Sequence, residues 1–236
     1  MQIASNDTAG GKRRHIPIRV SEPEPANASE LLLLREMTHR INNELASTIN
    51  VAACAALRST SREVKVALGE VIEQLHDQAR VYRALQMPAT DRPIDATAYL
   101  RELCQSISRA RLRHKGIELL LIENPLQLGS AQCWRLGLIV AELITNASRH
   151  AFASGGGTIR IELKRCGSRV ECHVSDNGTG HQNVRQDVGQ NVREGQGQGQ
   201  GLAIIRDLAG GLNGKVEQQF APSGAVAVVS FPILDV

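Results

Sequence analysis

The chain has 236 residues, of which 42% are apolar and only 3% aromatic, and a formal charge of +3. That length holds one large domain or two small ones, with a core that must rest on Leu, Ile, Val and Ala. The charge is too small to indicate nucleic acid or a membrane surface as a partner, and no apolar run approaches the roughly 20 residues of a membrane helix.

The five cysteines, at positions 54, 104, 133, 166 and 172, are odd in number and form no C-x-x-C pair. This is the usage of reduced thiols in the cytoplasm, not of a disulfide framework or a zinc site. No signal peptide is apparent, because the N-terminus lacks an apolar h-region. Residues 1–28, with the Pro-rich "SEPEPANAS", are expected to be a disordered tail, after which Asn27 or Ser29 could cap a helix.

From Leu31 the pattern is helical: Leu34, Met37 or Thr38, Ile41, Leu45, Thr48, Ala52 and Ala55 step by threes and fours. A polar break, "RSTSRE" at 58–63, separates this from a second helical pattern through Val64, Leu68, Val71, Leu75 and Tyr82, which stops before Pro88. Two long helices with a short connection predict an antiparallel hairpin. One hairpin covers its apolar stripes poorly, and two would close a four-helix bundle, which predicts a homodimer.

The character then changes. A helix is expected over Thr97–His114, a strand at "GIELLLIE", and a long apolar helix at "SAQCWRLGLIVAELITNASRHAF", starting at Ser130. The β-branched alternation of "TIRIELKR" and "VECHVSD" predicts two strands. A Gly- and Gln-rich loop at 177–199, a helix "GLAIIRDLAGGL" and a closing hairpin turning at "APSG" complete the chain. The fold class is therefore α+β: a helical hairpin over 29–90, followed over 91–236 by a two-layer α/β sandwich with an antiparallel-rich sheet.

Three constellations carry chemistry in the second half. In "ELITNASRH", Glu142, Asn146 and either Arg149 or His150 share one face of an otherwise apolar helix. Taken alone, a polar edge facing solvent explains them equally well. In "VSDNGTG", Asp176 ends a strand and can accept a hydrogen bond from an amine, while Gly178 and Gly180 let the backbone approach a flat ligand. In "GQGQGQGL", alternate glycines free backbone N–H groups to point at an anion beside a helix start. No Gly-Lys-Ser/Thr follows, so it is not a P-loop, and no strand immediately precedes it, so it is not a Rossmann turn.

In this order the three resemble the Bergerat-type ATP-binding module shared by gyrase-type ATPases, the chaperone of the ninety-kilodalton class, mismatch-repair ATPases and histidine kinases. That resemblance implies ATP and Mg²⁺ as cofactors, with Asn146 holding Mg²⁺ and Glu142 beside it. It implies that Asp176 reads adenine, that Arg149 and His150 lie near the phosphates, and that Gly197, Gly199 and Gly201 cradle them.

Upstream, "THRINNEL" resembles the H-R-x-x-N phosphoacceptor box of a histidine kinase class close to the HWE kinases. The likeness extends from about residue 30 to 236 and includes "RHKGIEL" and "VVSFP". Where HWE kinases carry a Trp-x-Glu element this chain reads "ECHVSDNG", so the sibling class is the closer match. Arg149 stands for the usual Lys, and Asn42 stands where Lys is common.

The resemblance makes His39 the acceptor of the γ-phosphoryl group. A neutral imidazole, with an ordinary pKa of about 6.5, keeps a nucleophilic nitrogen at neutral pH. Glu36 and Asn43 share its helix face at i−3 and i+4. Glu36 could orient the ring or take its proton, and Asn43 could bond the ring or the phosphoryl oxygens. Arg40 is expected to point elsewhere. A solvated helix histidine is the plainer reading of His39 without the ATP module beside it.

These features predict a cytoplasmic, homodimeric two-component histidine kinase core that passes the phosphoryl group from His39 to an aspartate on a response regulator receiver domain. With no room for a sensor in the tail, its input is expected from a separate sensor protein, or the sensor lies outside this chain. A phosphotransfer protein with a silent ATP module, or an ATP-dependent regulatory serine kinase, are the competing readings.

Overall fold

Residues 26–88, 92–152, 155–179 and 198–234 are described by the computed structural model. The expected tail, Gly180, Gly197 and most of the Gly- and Gln-rich loop lie outside the described residues.

Helix α1 spans Ala26–Arg58 and α2 spans Arg62–Ala84, antiparallel across a three-residue connection. The first begins before both Asn27 and Ser29. Pro25 immediately precedes it in sequence, and a fixed φ at that point suits a helix start. Ser61 caps α2, its Oγ accepting from the Val64 amide.

The hairpin is only partly covered. Met37, Ile41, Val51, Leu57, Val64 and Val71 are exposed, whereas Leu68 and Leu75 are half-buried. Only the last turns of α2 enter a core, through Ala79, Val81 and Ala84.

Strand β1 (Ile94–Asp95) pairs antiparallel with β3 (Gln127–Leu128), a short ladder the sequence pattern does not announce. Asp95 ends β1 and caps α3 (Ala96–Ile107), its Oδ1 accepting from the Thr97 and Ala98 amides at 2.9 and 3.1 Å. The helix expected to run on to His114 changes pitch instead. It passes through a π-helical turn, Ser108–Leu112, and a 3₁₀ turn, Arg113–Lys115. Gly116, at φ 66°, stops it in the left-handed conformation that glycine adopts without strain.

The five-stranded sheet has the order β2-β4-β5-β7-β6. Strand β2 (Ile117–Ile122) runs parallel to β4 (Gly157–Cys166), and α4 (Ser130–His150) makes the crossover. The other pairs are antiparallel: β4 with β5 (Arg169–Asp176), β5 with β7 (Gly224–Pro232), and β7 with β6 (Lys215–Ala221). Period-two alternation sends Ile159, Ile161, Leu163, Val170, Cys172 and Val174 into the core, against α3, α4 and α5 (Gln198–Gly210). Helix and sheet thus form two layers, with Phe231 the largest fully buried side chain.

The hairpin is tied to this sandwich at one end. The Trp134 indole of α4 donates to the Leu85 carbonyl at 2.9 Å, and the Arg111 guanidinium donates to Gln78 Oε1 at 3.3 Å. No helix among the described residues is long and apolar enough to cross a membrane.

Candidate active site

His39 lies on the exposed surface of α1. The Asn43 amide, one turn on, places its nitrogen 3.2 Å from His39 Nδ1. An amide N–H donates, so in this orientation Nδ1 is the acceptor and the ring proton sits on Nε2. Turned over, the same amide offers Oδ1, accepts a proton on Nδ1, and leaves the Nε2 lone pair facing outward. The orientation of the Asn43 amide and the tautomer of the ring are therefore coupled.

Glu36 does not bond the ring. Its Oε1 accepts from Arg40 Nε at 2.9 Å, an exposed i,i+4 ion pair, so Arg40 turns back along its own helix. The amide of Asn42 is enclosed and has no hydrogen-bond partner among the described residues.

At the far end of the chain, Asp176 terminates β5. Its Oδ1 accepts from the amides of Gly178 and Ala225 at 3.0 and 3.3 Å, so a backbone group of the following loop and one at the start of β7 fix the carboxylate's orientation. The fit is close. A Cβ on Gly178 would stand 2.2 Å from the Ala151 carbonyl oxygen, and one on Gly224 would stand 1.9 Å from the Asp176 carbonyl oxygen. Gly224 also has φ 137°, so only glycine serves there. Asn177 stitches β5 to β4, its Oδ1 accepting from Thr158 N at 2.8 Å.

Glu142 and Asn146 are half-buried on one face of α4, and α5 packs opposite them. A Cβ on Gly201 would lie 2.5 Å from Glu142 Oε1 and 3.6 Å from Asn146 Nδ2. The glycine run expected to precede this helix partly belongs to it: Gly199 and Gly201 occupy its first turns. The absence of a side chain at Gly201 is what lets α5 approach the acid and amide of α4. Arg149 and His150 occupy the exposed last turn of α4, where cations are favoured by the helix dipole.

The fold thus unites Glu142, Asn146 and Gly201, and separately Asp176 and Gly178. The roles of Gly224, Ala225 and Asn177 were not legible as site features, because "APSG" reads only as a hairpin turn. The cysteines stay out of this chemistry. Burial pushes the thiols of Cys104, Cys133 and Cys172 up to about 12, and none of them lies at these groups.

Residues 36–111 match a family described as histidine kinase. Residues 134–235 match the family described as histidine kinase-, DNA gyrase B-, and HSP90-like ATPase. The chain belongs to the histidine kinase family. Among curated relatives, it is 27% identical over 222 residues to blue-light-activated histidine kinase 2 of Erythrobacter litoralis, covering 89% of this chain and 60% of that one. It is 24% identical over 230 residues to the sensor histidine kinase PdtaS of Mycolicibacterium smegmatis, covering 94% and 44%. The chain therefore spans about half the length of the curated relatives it matches. The histidine kinase domain of the Erythrobacter litoralis EL346 blue-light activated kinase shares its fold, at TM-score 0.54 and 17% identity over 83% of this chain and 96% of that one. A bacterial phosphotransferase does so at TM-score 0.57 and 12% identity, covering 88% and 98%.

Proposed function

We propose that the chain is the kinase core of a two-component system, with a dimerisation and phosphoacceptor unit over about 29–90 and an ATP-binding unit over about 91–236. The observation that carries this reading is the convergence of Glu142, Asn146 and Gly201 in one half of a chain whose other half presents His39 against Asn43.

Asp176, held by two backbone amides, accepts from the adenine amine. Gly178 lets the ring plane approach the backbone. The α4 pair, Glu142 and Asn146, faces the phosphates with Gly201, and Arg149 and His150 add donors at the end of the helix. Both Asn146 and Glu142 offer the hard oxygens that Mg²⁺ prefers when phosphates complete its shell, which makes Asn146 its holder. The metal would neutralise charge on the transferring group. Little else is asked of the protein in phosphoryl transfer beyond positioning.

At His39, the Asn43 carbonyl holds the Nδ1 proton, and the Nε2 lone pair attacks the γ-phosphorus. A P–N bond forms, the β,γ-bridging P–O bond breaks, and ADP leaves with that oxygen. The phosphoryl group then passes to an aspartate of a response regulator receiver domain. We place the protein in the cytoplasm as a homodimer, on its free cysteines and its partly uncovered hairpin.

The test is incubation with γ-labelled ATP and Mg²⁺. The expected result is an acid-labile, base-stable label that disappears in His39→Ala while ATP binding persists. Label surviving in that variant would move the acceptor elsewhere, and ATP binding without any label would favour a non-kinase reading of the module.

A further inference from the structure

Helix α4 has a second functional face. Roughly a third of a turn from Glu142 and Asn146 it presents Thr145 and Ser148 to a cleft of about 490 Å³, bounded on its other sides by α2 and the π and 3₁₀ turns. Arg149 stands at the border between the two faces and also lines the cleft.

The lining is one-sided in charge. Arg111, Lys115 and Arg149 are cationic, His114 can become so, and among the described residues no acidic side chain lines the cleft. The cations are held by neutral partners. Arg111 reaches Thr145 Oγ1 at 3.5 Å and Gln78 Oε1 at 3.3 Å, and Lys115 Nζ donates to Ser148 Oγ at 3.1 Å. Such bonds orient positive charge without cancelling it. The half-buried Tyr82 ring and Ala110 methyl supply the apolar part of the same lining, over the buried Ile107 and Ile144, and the volume falls within the range of small-molecule sites. The π-helical turn is what delivers Arg111 here, and such turns concentrate at functional sites.

We propose that this cleft is a second ligand site, separate from the nucleotide site, for a small phosphate-bearing molecule with an apolar body. The phosphate meets Arg111, Lys115 and His114, and the body lies on Tyr82 and Ala110. Because one wall is the hairpin and another is the nucleotide helix, an occupant clamps the two parts together and regulates the approach of ATP to His39. Binding itself is independent of the kinase reading; only the regulatory consequence rests on it.

The test uses the full chain saturated with a non-hydrolysable ATP analogue and titrated calorimetrically with phenyl phosphate, with inorganic phosphate as the head-group control. One phenyl phosphate per chain is expected, bound more tightly than inorganic phosphate. The double variant His114→Gln/Lys115→Gln is expected to weaken it by at least about tenfold, as loss of charge-assisted bonds does. Gln78→Glu, which keeps an acceptor for Arg111 but sets a negative charge in the hairpin wall, is expected to weaken it likewise. All variants should bind the ATP analogue as the parent does. No binding at about 1 mM, binding abolished by the ATP analogue, or binding indifferent to both variants would each overturn the proposal.

Discussion

Gly201 faces Glu142 so closely that a Cβ on the glycine would stand 2.5 Å from the carboxylate oxygen Oε1. The oxygen is the far end of a flexible side chain, so Gly201→Ala is accommodated by swinging the carboxylate away rather than by moving α5. Damage should therefore fall on the site and not on the fold. We expect a melting temperature within a few degrees of the parent and an ATP affinity lowered by roughly tenfold, about 1.4 kcal/mol. Calorimetric titration checks it, and parental affinity would separate Gly201 from the nucleotide site.

Asp176→Asn keeps an oxygen for the Gly178 and Ala225 amides, so the loop geometry should survive. What goes is the negative charge that the proposed function sets against the adenine amine. A charge-assisted bond of about 1.5–3 kcal/mol is lost, and affinity should fall by on the order of tenfold or more. An unchanged ATP titration would remove Asp176 from adenine recognition.

Asn43 bonds His39 Nδ1, and the proposed mechanism, in which its carbonyl holds the Nδ1 proton, makes an asymmetric prediction. Asn43→Asp still accepts a proton on Nδ1 and should keep autophosphorylation within about tenfold of the parent. Asn43→Leu can neither donate nor accept and should lose about a hundredfold, the lower range for a misplaced acid–base partner. Nitrogen chemical shifts of the ring would report the tautomer directly. Equal rates in the two variants, with an unchanged tautomer population, would leave Asn43 a bystander.

The exposed apolar residues of the hairpin choose the mutation that tests the dimer. Leu68 and Leu75 are half-buried within the hairpin, and altering them would damage the hairpin itself. Val71 is 45% exposed and Val64 44%, so Val71→Glu and Val64→Glu leave one hairpin intact while placing a charge where a second would dock. Each covered aliphatic side chain contributes about 1.5–3 kcal/mol, and a buried unpaired charge reverses that. Sedimentation should show a dimeric parent and monomeric variants. A monomeric parent, or variants that stay dimeric, would place the interface elsewhere.

Much of this was legible from periodicity. The stepping of Ile41, Leu45, Ala52 and Ala55 gave the hairpin, and the alternation of Ile159, Ile161 and Leu163 gave a central strand, because one-sided burial imposes those periods. Residue types at the ends of elements, Asn146 on a helix and Asp176 closing a strand, pointed to a nucleotide site. Pairings across the fold were not legible. Nothing local says that Gly201 meets Glu142, that Ala225 bonds Asp176, or that Arg111 bridges Gln78 and Thr145. Glu36 had two partners within helical reach, and its engagement with Arg40 rather than His39 is decided by charge, which spacing does not weigh.

The π-helical turn at Ser108–Leu112 has a geometric corollary. Each residue of an α-helix advances the chain by about 100° around its axis. A π turn closes on the fifth residue where an α turn closes on the fourth, so it absorbs about one residue more and hands the chain on in nearly the same phase. The same residues wound as an unbroken α-helix would carry every later side chain roughly that angle further round, and Lys115 would turn away from Ser148. The wide turn thus acts as an angular spacer, and its pitch is a setting as specific as any side chain.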